Sequence, residues 1–296
     1  MRGDYLFIHT LKLLLLLLCL SLVQLEATSG ERKRVCGGVL ITDRWVLTAA
    51  HCERKGRISG VRLGEWNTDT EIDCVNDWNN RQECIEPYID VPADLIKPHP
   101  DYNKDDHRND ISLVRLAHPV NFTRSIKPIC LPHTPKFRNN LYENTSADIC
   151  GWGLTETNQV SVKQLKATLG VWSLDRCRVG LKLSHVTLHE GIFCASGDAG
   201  MSSCYGDSGG PLMHLDNSFY VIGVISEGDR SCNRSETPVV LTQLKYYAVF
   251  FIFDVVCAVK CLNTNNRELE LPALCLSEAC HCLEREVKAE QKNVFN

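Results

Sequence analysis

The sequence predicts an all-β fold. Short runs rich in Val, Ile, Leu and Thr recur along it, among them VLTAA, GVRLGEW, ISLVRL, ATLGVWSL and FYVIGVIS. Turn residues bound each run, which is the pattern of a barrel or a sandwich. No helical repeat and no internal sequence repeat breaks it. At 296 residues the chain has room for one large β domain or two small ones.

Composition sets the compartment. The formal charge of −4 comes without a basic block, which argues against nucleic-acid binding, and without an acidic tail. Residues 1–27 read as a secretory signal peptide. Arg2 and Lys12 are basic, LLLLLLCLSLV is an apolar core, and Ala27 closes an acceptable cleavage site. The apolar run is short for a membrane span, which needs about 20 residues. Cleavage after Ala27 and a secreted, extracellular product are expected, with residues 28–34 left as a short basic leader. Sixteen cysteines agree with an oxidising compartment; losing Cys19 with the leader leaves 15, an odd number. Three sequons, at Asn121, Asn144 and Asn233, are candidate glycosylation sites.

Further along, EIDCVNDWNNRQEC is a polar loop that a Cys74–Cys84 bridge would close, and KPHPDYNKDDHRND is a second polar connection. LKYYAVFFIFDVVCAVK is apolar almost all round; its length favours a helix and is too short for a membrane span. Residues 257–296 form a charged, cysteine-containing tail. Its cysteine spacings do not match a paired zinc site, so no metal is expected there.

One stretch carries chemistry openly. In GDSGGPL, glycines flank Ser208, so a tight turn can aim its hydroxyl and nearby backbone N–H groups at one point. Acyl transfer needs that combination of nucleophile and oxyanion donors. A serine needs a base, and TAAHC offers His51 beside a cysteine that pins the backbone. A base needs an orienting carboxylate, and NDISLVRL offers Asp110 at the head of an apolar strand. Singly, His51 reads as a packed histidine, Asp110 as a strand-start turn residue and the serine turn as a turn. In the order His, Asp, Ser they match a known order for a catalytic triad.

The chain resembles the trypsin-like serine proteases of the chymotrypsin family. CGGVLITDRWVLTAAHC, NDISLVRL, IKPICLP, CGWG, FCA, SCYGDSGGPL and VIGVIS carry the resemblance, over residues 35–256. LGEWNTDTEIDC is closest in wording to insect clip-domain proteases. The resemblance implies two six-stranded antiparallel β-barrels and a C-terminal helix. It implies Ser208 as nucleophile, His51 as general base and acid, Asp110 as orienter, and the N–H groups of Gly206 and Ser208 as oxyanion hole. Ser226 would extend the network to Asp110. The implied disulfides are Cys36–Cys52, Cys177–Cys194 and Cys204–Cys232, with Cys74–Cys84 as in the clip-protease group. No cofactor is expected, although Glu71, Asp73, Glu83 and Glu86 could hold calcium; a solvated acidic loop is the plainer reading of those four.

Departures from the family pattern set further expectations. Cys36 falls at the family's disulfide position, so RVCGG reads as an interior strand. The family's activation N-terminus and first strand would lie upstream, and residues 28–34 leave no room for them. The first barrel is therefore expected to lack its first strand. Asp207, which in the family pairs with the freed amine, is expected to turn away and leave the site zymogen-like. The pocket positions Ser202, Glu227, Gly228 and Val239 do not follow a trypsin. Ser202 stands where Asp would select Lys or Arg, Glu227 where an aromatic residue is usual, and Val239 where a pocket-lining Gly is usual. Cys130 matches the cysteine that tethers a propeptide or clip part; a Cys130–Cys150 pair and free thiols are both open.

The expected function is secreted serine endopeptidase action in an extracellular immune or developmental cascade. Protein substrates, inhibitors and cascade proteases would be its partners. The alternative is a catalytically silent homologue that binds or regulates such partners.

Overall fold

The computed structural model describes residues 19, 21–28, 32–55, 57–76, 80–155, 157, 159–181, 188–197, 205–228 and 238–247. They form two closed antiparallel barrels of six strands each. The first contains β1 (Leu22–Thr28), β2 (Arg32–Leu40), β3 (Trp45–Thr48), β4 (Ile58–Leu63), β7 (Ile89–Pro98) and β8 (Ser112–Leu116). Around the barrel the order is β1-β2-β3-β8-β7-β4. Between β4 and β7 a small ribbon, β5 (Cys74–Asn76) and β6 (Gln82–Cys84), is bridged by Cys74–Cys84.

The first barrel does not lack its first strand. Residues 22–28 form β1, although residues 22–27 were expected to leave with a leader. It pairs with β2 through Val23↔Gly38 and Leu25↔Cys36, and with β4 through Val23↔Leu63 and Leu25↔Val61. The sequence contains the reason. Val23, Leu25 and Ala27 alternate with Gln24, Glu26 and Thr28, the period-two pattern of a strand with two distinct faces. Leu25 is fully buried and meets the core of Val39, Leu47 and Leu113. Burying one such side chain is worth about 1.5–3 kcal/mol.

The cysteines also differ from expectation. Cys19 pairs with Cys150, which rules out a Cys130–Cys150 bridge. Cys130 is itself in a disulfide, and its partner lies outside the described residues. Cys36–Cys52, Cys74–Cys84 and Cys177–Cys194 are formed. Cys204 and Cys232 lie outside the described residues, as does the tail.

The second barrel contains β9 (Ser146–Gly151), β10 (Leu165–Val171), β11 (Ile192–Ser196), β12 (Pro211–Leu215), β13 (Phe219–Glu227) and β14 (Val239–Gln243), in the order β10-β11-β14-β13-β12-β9. Its core gathers Leu169, Phe193, Leu212, Ile222 and Leu241. Among the described residues two short helices lie outside the sheets, α1 (Pro135–Arg138) and α2 (Leu174–Gly180). Ser173 caps α2 by accepting the Arg176 N–H, and Cys177–Cys194 ties the helix to β11. Of the expected C-terminal helix, only a 3-10 turn, Leu244–Tyr246, falls within the described residues. Among those residues no helix is long and apolar enough to cross a membrane.

The barrels meet through the chain ends that bear the candidate residues. Gly37 of β2 donates its N–H to Ser208 O at 2.8 Å. Thr242 Oγ of β14 donates to Asp110 O, also at 2.8 Å.

Candidate active site

His51 stands on the 3-10 turn Ala50–Lys55 that follows β3. The turn is fixed from both sides. Cys52 is bonded to Cys36 of β2, and the His51 N–H donates to Asp110 Oδ1 at 2.8 Å. The ring therefore has little freedom, and its Nδ1 sits 2.8 Å from Asp110 Oδ2. A proton on Nδ1 makes that contact a charge-assisted bond and leaves Nε2 as the basic atom.

Asp110 precedes β8 and is fully buried. Burial alone would raise its pKa. The neighbouring His107 ring at 3.9 Å and hydrogen bonds from His51 and Ser226 outweigh that and hold the carboxyl well below the usual carboxylate range. Ser226 Oγ, near the end of β13, donates to Asp110 Oδ2 at 2.5 Å. The carboxylate is charged, dry and aimed. The expectation of a poorly formed site does not hold for this half of it.

Ser208 lies on the turn before β12. Gly206 adopts φ +110°, a region that disfavours any side chain, and this bends the backbone into the turn. The turn closes with Gly210 N–H donating to Asp207 O at 2.9 Å. The Cys36–Cys52 bridge of the first barrel lies against this turn. Cys52 Sγ lies 3.9 Å from His51 Nε2 and 3.8 Å from Ser208 O. Asp207 is not turned out into solvent. Its Oδ1 accepts the Gly153 N–H at 2.9 Å, so the carboxyl lies against the segment after β9.

Other predicted positions scatter. Glu227 ends β13 and is partly exposed, as is Gly228, whereas Val239 is fully buried in the second-barrel core. Ser202 and Asn233 lie outside the described residues. Asn121 and Asn144 are exposed, as a glycan requires.

The four acids proposed for calcium are not gathered. Asp73 is committed to the loop itself. It accepts the N–H groups of Trp66 and Asn67, at 3.1 and 3.0 Å, and the Thr70 hydroxyl at 2.5 Å. Glu71, Glu83 and Glu86 are exposed. Two other oxygens of that loop are buried without a hydrogen-bond partner, Glu65 Oε1 and Asn67 Oδ1. Among the described residues the one close cluster of His, Cys, Asp or Glu atoms is Cys36, His51 and Cys52, whose sulfurs are spent on their own disulfide.

Sequence reasoning missed His107. It stands three residues before Asp110 in DDHRND, and its ring reaches Ser226 and the same carboxylate. A histidine so close to the orienting acid was the available signal.

Two six-stranded barrels, with a histidine held by a buried aspartate on one and a glycine-flanked serine on the other, define the double-barrel serine protease domain. The chain belongs to the trypsin family, whose model matches residues 21–250 and thus includes β1. It is 38% identical over 241 residues to "Serine protease ea" of Drosophila melanogaster, covering 77% of this chain and 62% of that protein. It is 40% identical over 222 residues to "Spaetzle-processing enzyme" of the same species, covering 70% of this chain and 55% of that protein. In three dimensions it is similar to the Drosophila Grass clip serine protease of the Toll pathway. The TM-score is 0.68 at 29% identity, over 76% of this chain and 66% of that one. The chain spans about 60% of the length of the curated relatives it matches.

Proposed function

We propose that the protein is a secreted serine endopeptidase of an extracellular proteolytic cascade. The carrying observation is the buried Asp110 carboxylate, held by the His51 N–H and Nδ1 and by the Ser226 hydroxyl. In this reading Ser208 Oγ attacks the scissile carbonyl while His51 Nε2 takes its proton. The N–H groups of Gly206 and Ser208 receive the negative charge on the carbonyl oxygen. Asp110 stays ionised and stabilises the imidazolium. His51 then gives the proton to the leaving amine, and water repeats the cycle on the acyl-enzyme. The cascade assignment rests on relatives named for processing and pathway proteases. With Ser202 in place of an acid, the preference is for small or medium apolar residues at the cleaved bond.

The test is labelling of the secreted chain by a fluorophosphonate, with Ser208→Ala as control. Labelling that vanishes in the variant supports the reading. Well-folded protein that takes no label refutes it and leaves the silent homologue.

We also propose that the loop after β4 takes calcium on Glu65 and Asn67, rather than on Glu71, Asp73, Glu83 and Glu86. A buried carboxylate oxygen and a buried amide oxygen without partners are the hard ligands such an ion seeks.

A further inference from the structure

His107 sits on the connection between β7 and β8, in the left-handed region at φ +57°. Its half-buried ring lies between two acids. Nδ1 is 3.3 Å from Ser226 Oγ and 3.9 Å from Asp110 Oδ2. Nε2 is 3.9 Å from Glu227 Oε2. Asp110 Oδ2 thus serves three groups: the rings of His51 and His107, and the Ser226 hydroxyl.

We propose that His107 is a positioning residue that shares the Asp110 carboxylate with His51 and adds its own ionisation to the reaction. The inference rests on the protease reading above. Ser226 donates its proton to Asp110, so its lone pairs remain for an Nδ1–H of His107. Protonation of Nε2 then places an N–H toward Glu227, and the imidazolium bridges two carboxylates. The charged and titratable groups around it are Asp110 before β8, Glu227 on β13, His51 across Asp110, and Asp106 on its own loop, itself paired with Arg108 at 3.2 Å. The Asp110 carboxylate 3.9 Å away, together with the charges of Glu227 and Asp106, outweighs burial and raises the His107 pKa above that of an ordinary imidazole. While His107 is charged, two rings draw on one carboxylate, and less of its field is left to stabilise an imidazolium at His51. Loss of the His107 proton restores that field.

The experiment is the pH dependence of the fluorophosphonate labelling rate, on the full secreted chain. It compares wild type with His107→Asn and Glu227→Gln. Asn tolerates the left-handed backbone and can donate to Ser226, but does not titrate. The wild-type rate is expected to rise in two steps. His107→Asn should rise in one step. Glu227→Gln should keep two steps with the upper one moved to lower pH, because an anion that favours the imidazolium is gone. Wild-type and His107→Asn profiles of the same shape overturn the proposal. If no form takes label at any pH, the protease reading fails separately, and the NMR titration of the His107 Cε1 proton decides. A midpoint above about 6.5 that falls in Glu227→Gln supports the bridge; an unmoved midpoint overturns it.

Discussion

The Gly153 backbone N–H donates to Asp207 Oδ1 at 2.9 Å, so the residue before Ser208 is seated against the CGWG segment. The seat has no spare room. A β-carbon on Gly153 would come within 2.6 Å of the carboxylate, and one on Gly151 would fall inside it. Gly153→Ala and Gly151→Ala are each expected to displace Asp207 and, with it, the Ser208 turn. A displacement of about 1 Å can cost on the order of 100-fold in rate. Labelling rates measured beside far-ultraviolet circular dichroism check this. A folded Gly151→Ala protein that labels at the wild-type rate would show that the seat does not govern the turn.

Asp110 links catalysis to acid stability. Its folded-state pKa is depressed, because the nearby His107 ring and hydrogen bonds from His51 and Ser226 overcome burial. A depressed carboxylate contributes stability that is present above its unfolded value, about 3.9, and lost as pH falls below that. Asp110→Asn should flatten the acid limb of the unfolding curve below about pH 4, because the group no longer titrates. The same substitution should cut labelling by about 10⁴, the size seen when a triad loses its orienting charge. Denaturant melts from pH 2 to 7 measure the first effect. An acid limb equally steep in both proteins would contradict it.

The parts of this protein that were legible in its sequence are those whose signal is local. GDSGGPL, TAAHC and NDISLVRL each combine a turn, a strand edge and one reactive group, and the barrels bring His51 and Asp110 together as those motifs require. Residues 22–27 read as part of a leader because two physical signals overlap there. Hydropathy joins them to the leucine run, while the alternation of Val23, Leu25 and Ala27 with polar residues marks a strand. With Cys19 assigned to a leader, Cys150 was left between a Cys130 pair and a free thiol; retaining Cys19 makes the cysteine count sixteen, an even number. His107 was illegible for another reason. Its role depends on Ser226, 119 residues away, and on Glu227 beside it. Glu71, Asp73, Glu83 and Glu86 suggested calcium by composition, whereas buried unpartnered oxygens single out Glu65 and Asn67.

Glu65 gives the calcium proposal a measurable sign. Burial, more than any other factor, raises its pKa, against the hydrogen bond from Arg62 at 3.2 Å. A raised carboxylate contributes stability at low pH that is lost as pH rises through its folded value. Near neutral pH the metal-free chain therefore keeps a buried charge at a cost, and a bound cation offsets it. At calcium a hundredfold above Kd the Tm should rise by about 5–10 °C. Glu65→Gln should abolish that rise while leaving the Tm in chelator unchanged or higher. Differential scanning calorimetry with calcium and with EDTA reads both. A calcium response that survives Glu65→Gln would place the ion elsewhere.

Gln24 tests whether β1 belongs to the mature domain. Both atoms of its side-chain amide are buried without a hydrogen-bond partner, and the residue is 3% exposed. Leaving such a group unsatisfied costs about 1–3 kcal/mol, so Gln24→Leu, similar in volume, should stabilise the secreted protein by about that much. Leu25→Ala, on the other face of the strand, should destabilise it by about 2–5 kcal/mol. The two substitutions flank one backbone bond and have opposite signs, which a disordered or excised segment cannot produce. The N-terminus of the secreted protein is expected at or before Cys19, with Cys19–Cys150 recovered as a linked peptide pair after non-reducing digestion. Cleavage after Ala27 would delete the whole set of β1 contacts. An N-terminus at Thr28, with both substitutions silent in chemical denaturation, would mean that the barrel closes by some other means.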